Sequence, residues 1–107
     1  MRAREPWFVY LARCADDTIY VGVALDVAAR IAVHDSGRGA RYTRGRGPLR
    51  LLARHKCATK GDALPLELAL KRLPRPRKLA MAGSPRELAR LARVTASGPR
   101  PRAAAAG

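Results

Sequence analysis

Two phenols, Tyr10 and Tyr20, sit ten residues apart in "FVYLARCADDTIYVG", in a chain with only three tyrosines. A phenol can accept, donate or relay a proton, but at pH 7 only about one part in a thousand of an unperturbed phenol is ionised. Two further groups could act with them. Arg30 and His34 are four apart in "DVAARIAVHDS", which puts them on one side of a helix. Glu67 is the only acidic residue between Asp62 and Glu87, inside the apolar run "ALPLELALK". Such a carboxylate either pairs with Lys71 one turn later or offers oxygen to a hard divalent cation. Taken singly, each signal has a plain structural explanation: packing, solvated charge or a helix ion pair.

The elements that position these residues are legible. "WFVYLAR" (7–13) and "TIYVGV" (18–23) are rich in β-branched and aromatic types and read as two strands. Parity selects the turn. A two-residue loop would send the tyrosines to opposite faces. A three-residue loop over 15–17 pairs Ala12 with Tyr20, puts both phenols on one face, and requires Asp17 to take the left-handed conformation, which Asp tolerates. That register also sorts the strands. Trp7, Val9, Leu11, Ile19, Val21 and Val23 form an aliphatic face, and Tyr10, Ala12, Thr18, Tyr20 and Gly22 a smaller, more polar one.

Asp26 caps a helix running to about Ser36, with Gly37 as its stop. "GRGARYTRGRGP" (37–48) is a glycine- and arginine-rich loop, and "LRLLARHKC" (49–57) a third strand. Thr59 with Asp62 opens a helix extending to Leu73, which Pro65 should bend or delay because it has no backbone N–H. A short helix follows at about 75–82. "SPRE" (84–87) then provides a cap, a first-turn proline and a capping-box glutamate for a last helix. The organisation expected is one domain over 1–82, a basic helix over 83–95, and a Pro/Arg/Ala tail over 96–107 without order.

Composition points to the partner. Twenty-two Lys and Arg against eight Asp and Glu give a net charge of +14, the electrostatic footprint of a nucleic-acid binder. Hydrophobic residues make up 48%, enough for a globular core. Cys14 and Cys57 are too few and too far apart for a disulfide framework or a zinc site. Neither a signal-peptide pattern nor an apolar run of membrane-spanning length is present, so a soluble cytoplasmic protein is expected, with no membrane partner.

Together, "VYLARCADDTIYVG", "DVAARIAVHDSGRGARYTRGRGP" and "LELALKRL" resemble the GIY-YIG nuclease superfamily, specifically its small stand-alone bacterial members. The likeness covers about residues 7–80. Val9 and Val21 replace the isoleucines that name the family, and Asp17 stands where relatives often have Gly or Asn. The resemblance implies an α/β (α+β) fold, a small three-stranded antiparallel sheet flanked by helices. It also implies a DNA endonuclease that hydrolyses phosphodiester bonds with Mg²⁺ or Mn²⁺, with structure selectivity and a link to DNA repair or processing as further expectations. Tyr10, Tyr20, Arg30, His34 and Glu67 take the catalytic positions, Glu67 being the metal ligand. Arg38, Arg41, Tyr42, Arg44 and Arg46 suit contact with the backbone of duplex or branched DNA. The main rival is a basic nucleic-acid-binding domain on the same fold that does not cut. A small RNA- or ribosome-associated protein rests on charge alone.

Overall fold

The computed structural model describes residues 6–36 and 48–96. Strands β1 (Trp7–Arg13) and β2 (Ile19–Ala24) form a hairpin, and β3 (Arg50–Cys57) pairs with the other side of β1. All pairing is antiparallel, in the order β2-β1-β3. The register is the one parity required, Ala12 opposite Tyr20 and Leu11 opposite Val21. The Cys14 N–H donates to the Thr18 carbonyl at 2.8 Å, and the Asp17 N–H to the Cys14 carbonyl at 2.9 Å. Asp17 adopts φ 73°, the left-handed region. The Arg75 guanidinium donates to the Asp17 carbonyl and, at 3.0 Å, to its carboxylate, which ties the turn to a distant helix. Between Leu11 and Ala12 the β1–β3 register slips, with Ala53 and then Leu51 opposite, so Leu52 is the extra residue of a bulge.

Four helices follow from local signals. The Asp26 carboxylate accepts the Ala29 N–H at 3.0 Å and opens α1 (Val27–Asp35). The Thr59 hydroxyl accepts the Asp62 N–H at 3.1 Å and opens α2 (Lys60–Lys71). After α3 (Arg75–Ala82), the Ser84 hydroxyl accepts the Glu87 N–H at 3.2 Å and opens α4 (Pro85–Ala96). Two expectations are corrected. Pro65 does not delay α2, which begins at Lys60 and runs through it. The bond lost is the one to the Gly61 carbonyl, and both residues are exposed, so water can satisfy that group. The helix ends at Lys71 rather than Leu73, with Pro74 setting up the next one. Gly37, the arginine-rich loop up to 47, and the tail from 97 lie outside the described residues.

The sheet has two unlike faces. Val9, Leu11, Ile19 and Val21 pack under α2, α3 and α4 against Ala63, Leu66, Leu70, Met81 and Leu88. Ala63, Leu66 and Leu70 recur at helical spacing and form the buried stripe of α2. On the opposite face Tyr10, Ala12, Ala24 and Leu49 pack with Val27 of α1, flanked by Phe8, Tyr20 and Ile31.

Candidate active site

Tyr10, on the central strand, is 1% exposed. Its ring lies across Gly22 of β2: a Cβ at that position would stand 2.7 Å from the ring Cζ and hydroxyl oxygen. Glycine is needed there for space, not for an unusual backbone angle. The phenol oxygen is 3.3 Å from Nε2 of His34, itself 1% exposed on the last turn of α1. Tyr20 completes the group, its ring centroid 6.1 Å from that of Tyr10 and 5.2 Å from that of His34, which it meets edge-on.

Burial sets the protonation of these rings. It pushes the Tyr10 phenol far above its ordinary 10.0; the charge of Tyr20 adds to the rise, Arg30 opposes it, and Glu67 adds again. The Tyr20 phenol is raised by burial too, with Lys71 and Arg30 opposing and Glu67 and Cys14 adding. His34 falls below 6.5 through burial and then Arg30, against which Asp35 acts. At neutral pH the site therefore holds two neutral phenols and a neutral imidazole. We assign the tautomer with Nε2 unprotonated, so that Tyr10 donates to it.

Besides Asp35, three charged residues act on this trio: Arg30, Glu67 and Lys71. Arg30 is exposed one turn before His34, so the two share a side of α1 but not an environment. Glu67 lies at the margin of the α2 stripe, its side chain 20% exposed, with the Lys71 ammonium 3.1 Å from its carboxylate. The ion pair expected from spacing is thus present, and the same carboxylate bears on both phenols. Lys71 and Lys78 join Tyr20, Ile19 and Val21 around a recess of about 270 Å³ beside β2. Sequence reasoning gave Lys71 no role beyond its ion pair and did not find Lys78. The two lysines come from different helices, and no spacing could have linked them to Tyr20.

Among the described residues no three His, Cys, Asp or Glu side chains gather as a metal cluster. A divalent ion at Glu67 would have one protein oxygen ligand. That donor set fits Mg²⁺ or Mn²⁺, which keep several waters and take one or two carboxylates with substrate phosphate, and does not fit a closed structural zinc site. Arg38, Arg41, Tyr42, Arg44 and Arg46 lie outside the described residues. Among the described residues, the Leu49 N–H donates to the Asp35 carboxylate at 2.8 Å. Among the described residues no helix is long and apolar enough to cross a membrane.

The site thus gathers two phenols and an imidazole on a three-stranded antiparallel sheet, with a helical arginine and a helical glutamate acting on the phenols. The GIY-YIG catalytic domain model matches residues 6–80, and the chain belongs to that family. It is 49% identical over 79 residues to a UPF0213 protein of Nitratidesulfovibrio vulgaris, covering 74% of this chain and 72% of that one. It is 46% identical over 80 residues to a UPF0213 protein of Cupriavidus necator, covering 75% and 87%. The solution NMR structure of a UPF0213 protein from Bacillus halodurans is 40% identical, covers 78% of this chain and 93% of its own, and aligns with a TM-score of 0.47. Helix α4 lies beyond the family match.

Proposed function

We propose that this chain is a metal-dependent endonuclease that hydrolyses phosphodiester bonds in duplex or branched DNA in the cytoplasm, in DNA repair or processing. The observation that carries the reading is the buried contact between Tyr10 and His34, at 3.3 Å, beside a second phenol on which Arg30 and Glu67 both act. A phenol held above its ordinary pKa is a poor free base. It is a good relay when a neutral imidazole stands behind it. As a water attacks phosphorus, the Tyr10 oxygen accepts the water proton while its own hydrogen passes to His34 Nε2. Tyr20 borders the same space and orients the water. Arg30, exposed at the rim, donates to the non-bridging oxygens as negative charge builds on them. Glu67 would hold Mg²⁺ or Mn²⁺, which when bound would supply charge compensation at the scissile phosphate and the leaving oxygen. Arg38, Arg41, Arg44 and Arg46 grip the DNA backbone, and Tyr42 stacks on a base or anchors the loop.

Incubation of purified protein with supercoiled plasmid and Mg²⁺ or Mn²⁺, beside an EDTA control, tests the proposal. Nicked or linear product that EDTA suppresses is expected. Tight plasmid binding with no cleavage under either metal would instead identify a non-cleaving nucleic-acid-binding domain.

A further inference from the structure

Lys71 and Lys78 reach one recess from two helices, α2 and α3, and share it with Tyr20. The recess lies on the outer side of β2, an edge strand of the sheet. Antiparallel alternation decides what the strand shows there. Cys14 and Thr18 exchange a backbone hydrogen bond at the turn, so Tyr20, opposite Ala12, also points its backbone toward β1. Ile19 and Val21, in the intervening positions, turn both N–H and C=O the other way, so this strand edge offers donors and acceptors beside the recess they line. Lys71 and Lys78 are the charged residues that line this hollow of about 270 Å³, and both are cationic. That chemistry takes an oxyanion.

We propose that Lys71 and Lys78 form a phosphate subsite that holds the DNA backbone phosphate next to the scissile one. The inference rests on the hydrolase reading above and adds to it where the strand leaves the phenols. Position follows from the ion pair. The Lys71 ammonium is 3.1 Å from the Glu67 carboxylate, the group that takes the metal in the proposed reaction, so an anion on Lys71 is a direct neighbour of the phosphate being cut. The Lys71 side chain is half-exposed at this ion pair, so its ammonium can meet a phosphate without leaving Glu67 and without a metal. Lysine acts as a point charge that binds phosphate without a fixed fork geometry, which suits an open recess more than arginine would. Arg30 is exposed on α1, which packs on the other sheet face, and its charge acts on both phenols, so a strand crossing Tyr20 would meet positive charge from both sides.

The test is fluorescence anisotropy of a labelled DNA duplex in EDTA, titrated over a range of KCl. Lys71→Gln/Lys78→Gln should reduce the slope of log affinity against log salt by about 0.9, the value of one phosphate contact on duplex DNA. Binding at low salt should weaken roughly tenfold, in line with loss of a charge-assisted contact. Lys71→Arg/Lys78→Arg should restore most of both, and circular dichroism should report an unchanged fold. Arg86→Gln/Arg90→Gln removes the same charge from α4, at two exposed positions, and should leave the slope close to wild type. An unchanged slope in the lysine variant overturns the subsite, and so does an equal fall in the α4 control. The plasmid assay separates this from the hydrolase reading. Wild-type cleavage with an unchanged lysine slope sinks the subsite alone, and the expected slope change in a protein that never cuts sinks hydrolysis alone.

Discussion

The two faces of the sheet are made from alternate residues of the same strands, yet they do different work. Beneath α2, α3 and α4 the side chains are aliphatic, and Leu11, Leu66 and Leu70 are completely buried. Beneath α1 the buried group includes a phenol and an imidazole that bond each other, and Tyr20 stays partly open. A face filled with hydrocarbon contributes stability through burial alone. A face filled with ionisable rings sacrifices some of that for groups held in fixed protonation states. The pleat separates the two tasks, so substitutions on one face should leave the property of the other almost untouched.

Glu67→Ala is the most severe test, because α2 packs on the aliphatic face while its glutamate acts on the phenols. Cleavage should fall by more than about 10³, since the proposed metal loses the one ligand it has among the described residues. Stability should change by no more than about 0.5 kcal/mol, the value of an i,i+4 helix ion pair. Equal plasmid cleavage by Glu67→Ala and wild type would remove Glu67 from the site.

Leu66→Ala reverses the pattern. The residue is 0% exposed, and its loss should cost about 2–5 kcal/mol in urea unfolding. Cleavage by the folded fraction should remain near wild type. A large loss of specific activity in fully folded protein would show that the faces are coupled.

Tyr10→Phe removes one oxygen and almost no packing. Cleavage should drop by at least about 10², while stability shifts by about 1 kcal/mol for one hydrogen bond. Retained cleavage would transfer the relay to Tyr20.

The pH dependence is smaller and has a definite sign. His34 has a folded-state pKa depressed by burial and by Arg30, so the unfolded chain binds a proton more readily. Its contribution to stability is complete above about pH 6.5 and is lost as pH falls through the lower folded value. His55, lowered by burial on β3, acts in the same direction. Thermal unfolding between pH 7.5 and 5 should therefore show a falling Tm that His34→Gln flattens only in part. Cleavage should fall over the same range, because an imidazolium cannot receive the Tyr10 proton. The smallest effect belongs to Leu68→Ala: at 50% exposure on α2 it should change stability by no more than about 0.5 kcal/mol.

Much of this was legible in the sequence because it depended on short-range rules. Strand parity placed both tyrosines on one face and forced Asp17 into the left-handed region, as observed. The caps at Asp26, Thr59 and Ser84 were readable from side chains that bond a backbone N–H three residues on. Pro65 was misjudged because helix rules price a lost bond without knowing that water reaches it. The tertiary relations were hidden. Spacing could not reveal that His34 would be buried against Tyr10 while Arg30 stayed exposed, nor that Lys78 would meet Lys71. Those contacts depend on how α1, α2 and α3 dock on the sheet. Residues 37–47, which carry the loop arginines, are not among those described.

Gly22 has a consequence for how this chain can change over generations. Tyr10 occupies the volume that any side chain at position 22 would need, with ring atoms 2.7 Å from where a Cβ would sit. The two positions are therefore inherited as one character. A lineage that keeps the phenol cannot drift away from glycine, and one that has lost the phenol is released from it. Change at residue 22 therefore follows loss of the ring at residue 10, so a side chain at 22 marks a chain in which this phenol has already left its place.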